Sequence, residues 1–103
     1  MSSPGAAGRV DFGFLDRLAA GDQALMREVL GIFLEEAAGW AERLRAEAAA
    51  DVVHTVKGSG RAVGAHELGD LCEAWEMGEF GEVDPILEEL ARVEAEIRDW
   101  LAA

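Results

Sequence analysis

The chain has 103 residues and a formal charge of −12, with nine Lys plus Arg against 21 Asp plus Glu. That length supports one domain with a modest core, not two lobes around a deep cleft, and the negative excess disfavours nucleic acid and anionic membrane, leaving a protein as the expected partner. Cys72 is the lone cysteine and no apolar run is long enough for a membrane span or secretory core, so a reducing cytoplasm is the expected setting.

Residues 1–9 (MSSPGAAGR) are rich in Ser, Pro and Gly and read as a disordered lead-in without function, with residues 10–103 as the folded domain. A short first helix is expected over Phe12 to Ala20, stopping at Gly21, with Asp22 placed to cap the next. In that second helix Met26, Leu30, Phe33, Ala37, Trp40 and Leu44 alternate steps of four and three, a core-facing stripe that Leu25, Val29 and Ile32 widen near its start. A third helix is expected from about Asp51 to Val63, ending at Gly64. The fourth carries Leu68, Leu71, Cys72 and Trp75 before Gly78 and Gly81 interrupt it. The fifth has Asp84 as cap and Pro85 at its first position, then Ile86, Leu90, Val93, Ile97 and Leu101 along one side. The fold class is therefore all-α: an antiparallel four-helix bundle preceded by a short N-terminal helix.

The third helix separates function from core. At about 100° per residue, Val53, Val56, Gly60 and Val63 cluster on one side, while His54, Lys57, Gly58, Arg61 and Ala65 fall nearly opposite. His54 is thus expected to face solvent, as an imidazole nucleophile that needs no buried base. Lys57, the only lysine, would neutralise phosphoryl oxygens, and Arg61 would extend the positive strip. Gly58 costs about 1 kcal/mol in a helix relative to alanine; in return it leaves clearance beside the imidazole for another protein's backbone.

The run His54-Thr-Val-Lys57-Gly58-Ser-Gly-Arg-Ala-Val-Gly64-Ala65, followed by Leu68, Cys72 and Glu76, resembles the signature of histidine-containing phosphotransfer (HPt) domains of bacterial multistep phosphorelays. The resemblance implies that His54 is phosphorylated, Lys57 is its electrostatic partner, Gly58 gives access, and Gly64-Ala65 turns the chain into the next helix. It also implies partners: response-regulator receiver domains, including that of a hybrid histidine kinase. No bound cofactor is implied, since Mg2+ would belong to the receiver's acidic pocket, and no autokinase activity is expected. One departure is the short spacing from Leu44 to His54. Family members usually have a longer connection, and Ala46 to Ala50 is strongly helix-favouring. Either a tight turn joins two helices in a monomer, or they run on as one helix and the bundle is completed as a swapped dimer.

The docking surface is expected around His54, using Leu25, Val29 and Ile32 with Phe12 or Phe14; ordinary core filling is their competing reading. His66 is expected to help start the fourth helix, Cys72 to be buried and inert, and Trp40, Trp75 and Trp100 to pack at the core or bundle ends. The pairs Glu35-Glu36 and Glu88-Glu89 read as solvated faces, because adjacent helical residues diverge. His54 and His66 lack regular metal-ligand spacing, and Thr55 and Ser59 have no triad partners. A four-helix adaptor that binds a receiver or kinase without phosphotransfer is the alternative function.

Overall fold

The computed structural model describes residues 8–47 and 50–103. Five helices follow in order: α1 (Phe12–Leu18), α2 (Gln23–Ala46), α3 (Ala50–Ala62), α4 (His66–Glu76) and α5 (Asp84–Ala102). Helices α2 and α3, α3 and α4, α4 and α5, and α5 and α2 pack pairwise, closing a four-helix ring, and α1 lies against α2. The fold class is the expected one.

The periodic stripes are the core. Met26, Leu30, Phe33, Ala37, Trp40 and Leu44 of α2 are all buried, against Val52, Val53 and Val56 of α3, Leu68 and Cys72 of α4, and Ile86, Leu90, Val93 and Ile97 of α5. Each fully buried aliphatic side chain of this kind contributes about 1.5–3 kcal/mol relative to its exposed state. Leu71, Trp75, Trp100 and Leu101 pack at its margin, partly buried, and Trp75 Nε1 donates to the Gly81 carbonyl at 3.0 Å. Burial pushes the Cys72 thiol up to about 12, with the charge of Glu76 adding to the shift.

Helix boundaries follow local chemistry. Asp22 caps α2 by accepting from the Leu25 amide at 3.0 Å, as expected. Helix α1 ends at Leu18, not Ala20, because Ala20 and Gly21 both turn to positive φ. Asp84 is the first helical residue and not the cap; Val83 holds the cap position without a side-chain bond. Glu47 takes an extended conformation (φ −160°, ψ 152°) directly after α2. Helices α2 and α3 are therefore separate, and the run-on helix is ruled out; Ala48 and Ala49 of the connection lie outside the described residues.

Most of the lead-in lies outside the described residues, but its last member does not fit that description. The consecutive amides of Arg9 and Val10 donate to the two carboxylate oxygens of Glu96, at 2.8 and 2.9 Å, and Val10 is buried. Arg9 also pairs with Glu67 at 2.6 Å and Glu89 at 3.5 Å. The folded domain thus includes Arg9. At Gly64 (φ +86°) a Cβ would stand 2.7 Å from the Asp11 carbonyl oxygen, and the Asp11 amide donates to the Gly64 carbonyl at 2.9 Å. Only glycine fits this turn, which ties the N-terminal strap to the α3–α4 hairpin.

Candidate functional site

Helix α3 presents the expected two faces. Val53, Val56 and Gly60 point inward, and the imidazole of His54 is 72% exposed. Val63 is buried just beyond the helix. Ala65 departs from the projection: it is fully buried, because the helix stops at Ala62 and the chain turns at Gly64 before Ala65 is reached.

The hairpin register brings Glu76, at the C-terminal end of α4, against His54 and Lys57. His54 Nδ1 lies 2.9 Å from Glu76 Oε2, and Lys57 Nζ donates to Glu76 Oε1 at 2.6 Å. The hydrogen bond from Lys57 comes first and that from His54 second in holding the Glu76 carboxyl below its ordinary value. An ionised carboxylate only accepts hydrogen bonds, so Nδ1 carries the proton. In the neutral ring the lone pair then lies on Nε2. The Lys57 side chain is 20% exposed and that of Glu76 24%, against 72% for the imidazole they support. The sequence places Glu76 in the motif without a role; its pairing with two residues of the neighbouring helix appears only once the register is known.

Gly58 follows His54 by one turn, and a Cβ built there meets nothing within 4 Å among the described residues. The fold does not require glycine at this position, which fits the clearance reading. Arg61 does not extend a free positive strip. Its guanidinium donates to Glu73 and Asp70 of α4, both at 3.2 Å, and its stem lies where a Cβ on Gly69 would come within 2.5 Å of Cγ. The side chain is committed to clamping α3 to α4.

Of the five docking candidates, three line open apolar clefts. Val29, Ile32 and Trp40 face Ser59 and Ala62 across a cleft of about 160 Å³ between α2 and α3. Leu25 and Val29 share a second, about 200 Å³, with Leu15, Leu18 and Ala62. Leu25 is 42% exposed and Ile32 48%, too open for core filling. Phe12 instead stacks on Trp100 with centroids 5.5 Å apart, and Phe14 packs edge-on against His66, so neither lines these clefts. Leu18, 64% exposed, also belongs to this surface; its position three residues after Leu15, on the same side of α1, is the sequence signal for it. His54, Gly58 and Ala62 lie four apart along α3, which sets the clefts in line with the imidazole.

The remaining chemistry-bearing residues have separate places. His66 opens α4 and lies 3.6 Å from Asp11, whereas His54 pairs with Glu76 at the other end, so the two histidines share no ligand set. Thr55 Oγ1 donates to the Asp51 carbonyl. Glu88 is exposed, but Glu89 is only 2% exposed and its Oε2 has no partner among the described residues. The solvated-face reading fails at Glu89, because that position turns under the strap.

Three comparisons bear on this geometry. A search of curated proteins finds no match. Among solved structures, the histidine phosphotransferase ShpA from Caulobacter crescentus is 40% identical, with 90% of each chain covered and a TM-score of 0.83. The Hpt domain family model matches residues 28–103, a span that holds the whole α3–α4 hairpin, and the chain belongs to the Hpt domain family.

Proposed function

We propose that this chain relays phosphoryl groups between aspartates of response-regulator receiver domains through Nε2 of His54. The phosphotransfer role itself comes with the family; the observation that carries the assignment to this atom is the Glu76 carboxylate on Nδ1 of a 72% exposed ring. In the forward step the Nε2 lone pair attacks the phosphorus of the receiver's aspartyl phosphate. The N–P bond forms as the P–O bond to the acyl oxygen breaks, and that electron pair returns to the receiver's carboxylate. Positive charge developing on the ring is offset through Nδ1–H by Glu76. The reverse step returns the group to another receiver aspartate.

Such transfer passes through a loose in-line arrangement, so positioning and charge compensation supply most of the acceleration. Lys57 is within reach of both Glu76 and the space beside His54, and its ammonium would turn to the phosphoryl oxygens as they arrive. Arg61 is left as a clamp. Mg2+ would be held by the receiver's own acidic pocket. The receiver would cover Gly58 and settle on Leu18, Leu25, Val29, Ile32 and Ala62. The relay would act as a monomer in a reducing cytoplasm, a setting supported by the separate α2 and α3 and the free, buried Cys72.

A receiver labelled by its kinase and mixed with this protein should transfer an acid-labile, base-stable phosphate to it, and His54→Gln should take up none. Label persisting in that variant contradicts the site. No label from any receiver of the source organism would favour the adaptor.

A further inference from the structure

Glu36 stands in the apolar surface just described. Val29, Ile32 and Glu36 share one face of α2, and Glu36 is the one charged residue among those lining the cleft between α2 and α3. Its neighbour Glu35 lies about 100° around the helix and does not line that cleft. Glu36 is exposed, and among the described residues it has no hydrogen bond or ion pair, unlike Arg43 farther along α2, which is paired with Asp51 of α3 at 3.3 Å.

Resting on the phosphorelay reading, we infer that Glu36 selects the receiver: it takes a Lys or Arg presented from within the apolar docking surface of the partner. In the free protein the carboxylate is hydrated and costs nothing. A docked receiver strips water from the cleft, and a carboxylate covered by apolar atoms without a cation is strongly disfavoured. Glu36 therefore discriminates in two ways, by pairing with a cation and by rejecting receivers that lack one. A receiver offering an apolar or acidic residue at this point leaves the charge unpaired or repelled, while one offering a cation restores the lost hydration with a charge-assisted hydrogen bond. The formal charge of −12 acts in the same direction, slowing the approach of acidic receivers.

The experiment measures initial rates of transfer from each receiver of the source organism, labelled by its kinase, to the wild-type protein, Glu36→Gln and Glu36→Arg, with circular dichroism confirming that the variants fold. With the fastest wild-type donor, Glu36→Gln should lose about tenfold and Glu36→Arg about a hundredfold. Replacing the Lys or Arg on that donor's docking surface by Glu should restore transfer to Glu36→Arg. Wild-type rates with Glu36→Arg, or failure of every such receiver variant to restore transfer, overturns the inference while leaving the relay intact. A wild-type protein that no receiver labels overturns the relay reading, and this inference with it.

Discussion

Two carboxylates on successive helices, Glu76 of α4 and Glu89 of α5, show how differently this small bundle uses ionic contacts. Glu76 is partly exposed, accepts from both Lys57 and His54, and is held below its ordinary value by those bonds. Glu89 lies under the N-terminal strap, 2% exposed, with Arg9 and Arg92 at 3.5 Å and one oxygen without a partner among the described residues, and burial pushes its carboxyl up. The first is ionised and poised next to solvent, where its partners can exchange for a phosphoryl group. The second is desolvated and only loosely paired, so its charge opposes folding. Proximity to cations is common to both; water access and hydrogen-bond geometry decide whether the charge serves chemistry or strains the fold.

The largest test of this contrast is Lys57→Ala. If the ammonium compensates the moving phosphoryl group, transfer to the variant should slow by about 10²-fold with an unchanged helical spectrum; unchanged kinetics would reduce Lys57 to an interhelical tether. Next is Gly58→Leu. The open space over Gly58 predicts stability equal to or above wild type, since glycine costs about 1 kcal/mol in a helix, together with transfer slowed about tenfold by crowding at the docking surface. Thermal melts and transfer rates on one preparation separate the two effects, and equal loss of both would make the glycine structural.

The smallest effect lies at Glu89, on α5 beneath the N-terminal strap. A carboxyl raised by burial contributes its stabilisation below the unfolded value near 4.5 and loses it as pH rises through the higher folded value. Glu89→Gln should therefore stabilise the protein by about 1 kcal/mol at pH 8 and lose that advantage below pH 4.5, seen as converging denaturation midpoints. Glu76 has the opposite sign: its contacts favour the folded state above the unfolded value near 4.5, and that contribution disappears as pH falls through its lowered folded value.

The parts of the molecule legible in sequence are those that repeat. The α2 stripe from Met26 to Leu44 and the α5 stripe from Ile86 to Ile97 follow from helical periodicity, and the same projection turns His54 outward. What periodicity cannot supply is the register between helices. Glu76 meeting His54, Arg61 meeting Asp70 and Glu73, and Glu89 turning beneath Arg9 all depend on how far one helix slides along another. Ala65 departs from the helical projection for a related reason, since projecting a helix past its last residue assigns a face that the turning chain no longer has. Leu18 and Ile32 show the reverse limit: apolar residues at the margin of a stripe can equally fill the core or greet a partner, and only the packed neighbours decide.

The central claim is that Glu76 holds the Nδ1 proton of His54 and so leaves Nε2 to carry the phosphoryl group. Nitrogen-15 NMR of the protein after labelling by a phosphorylated receiver tests it directly, because the two phosphohistidine isomers have distinct ring-nitrogen shifts and phosphorus couplings. The account predicts phosphorus coupled to Nε2 of His54, with Nδ1 still protonated. Phosphate on Nδ1, or on any other residue, would contradict it.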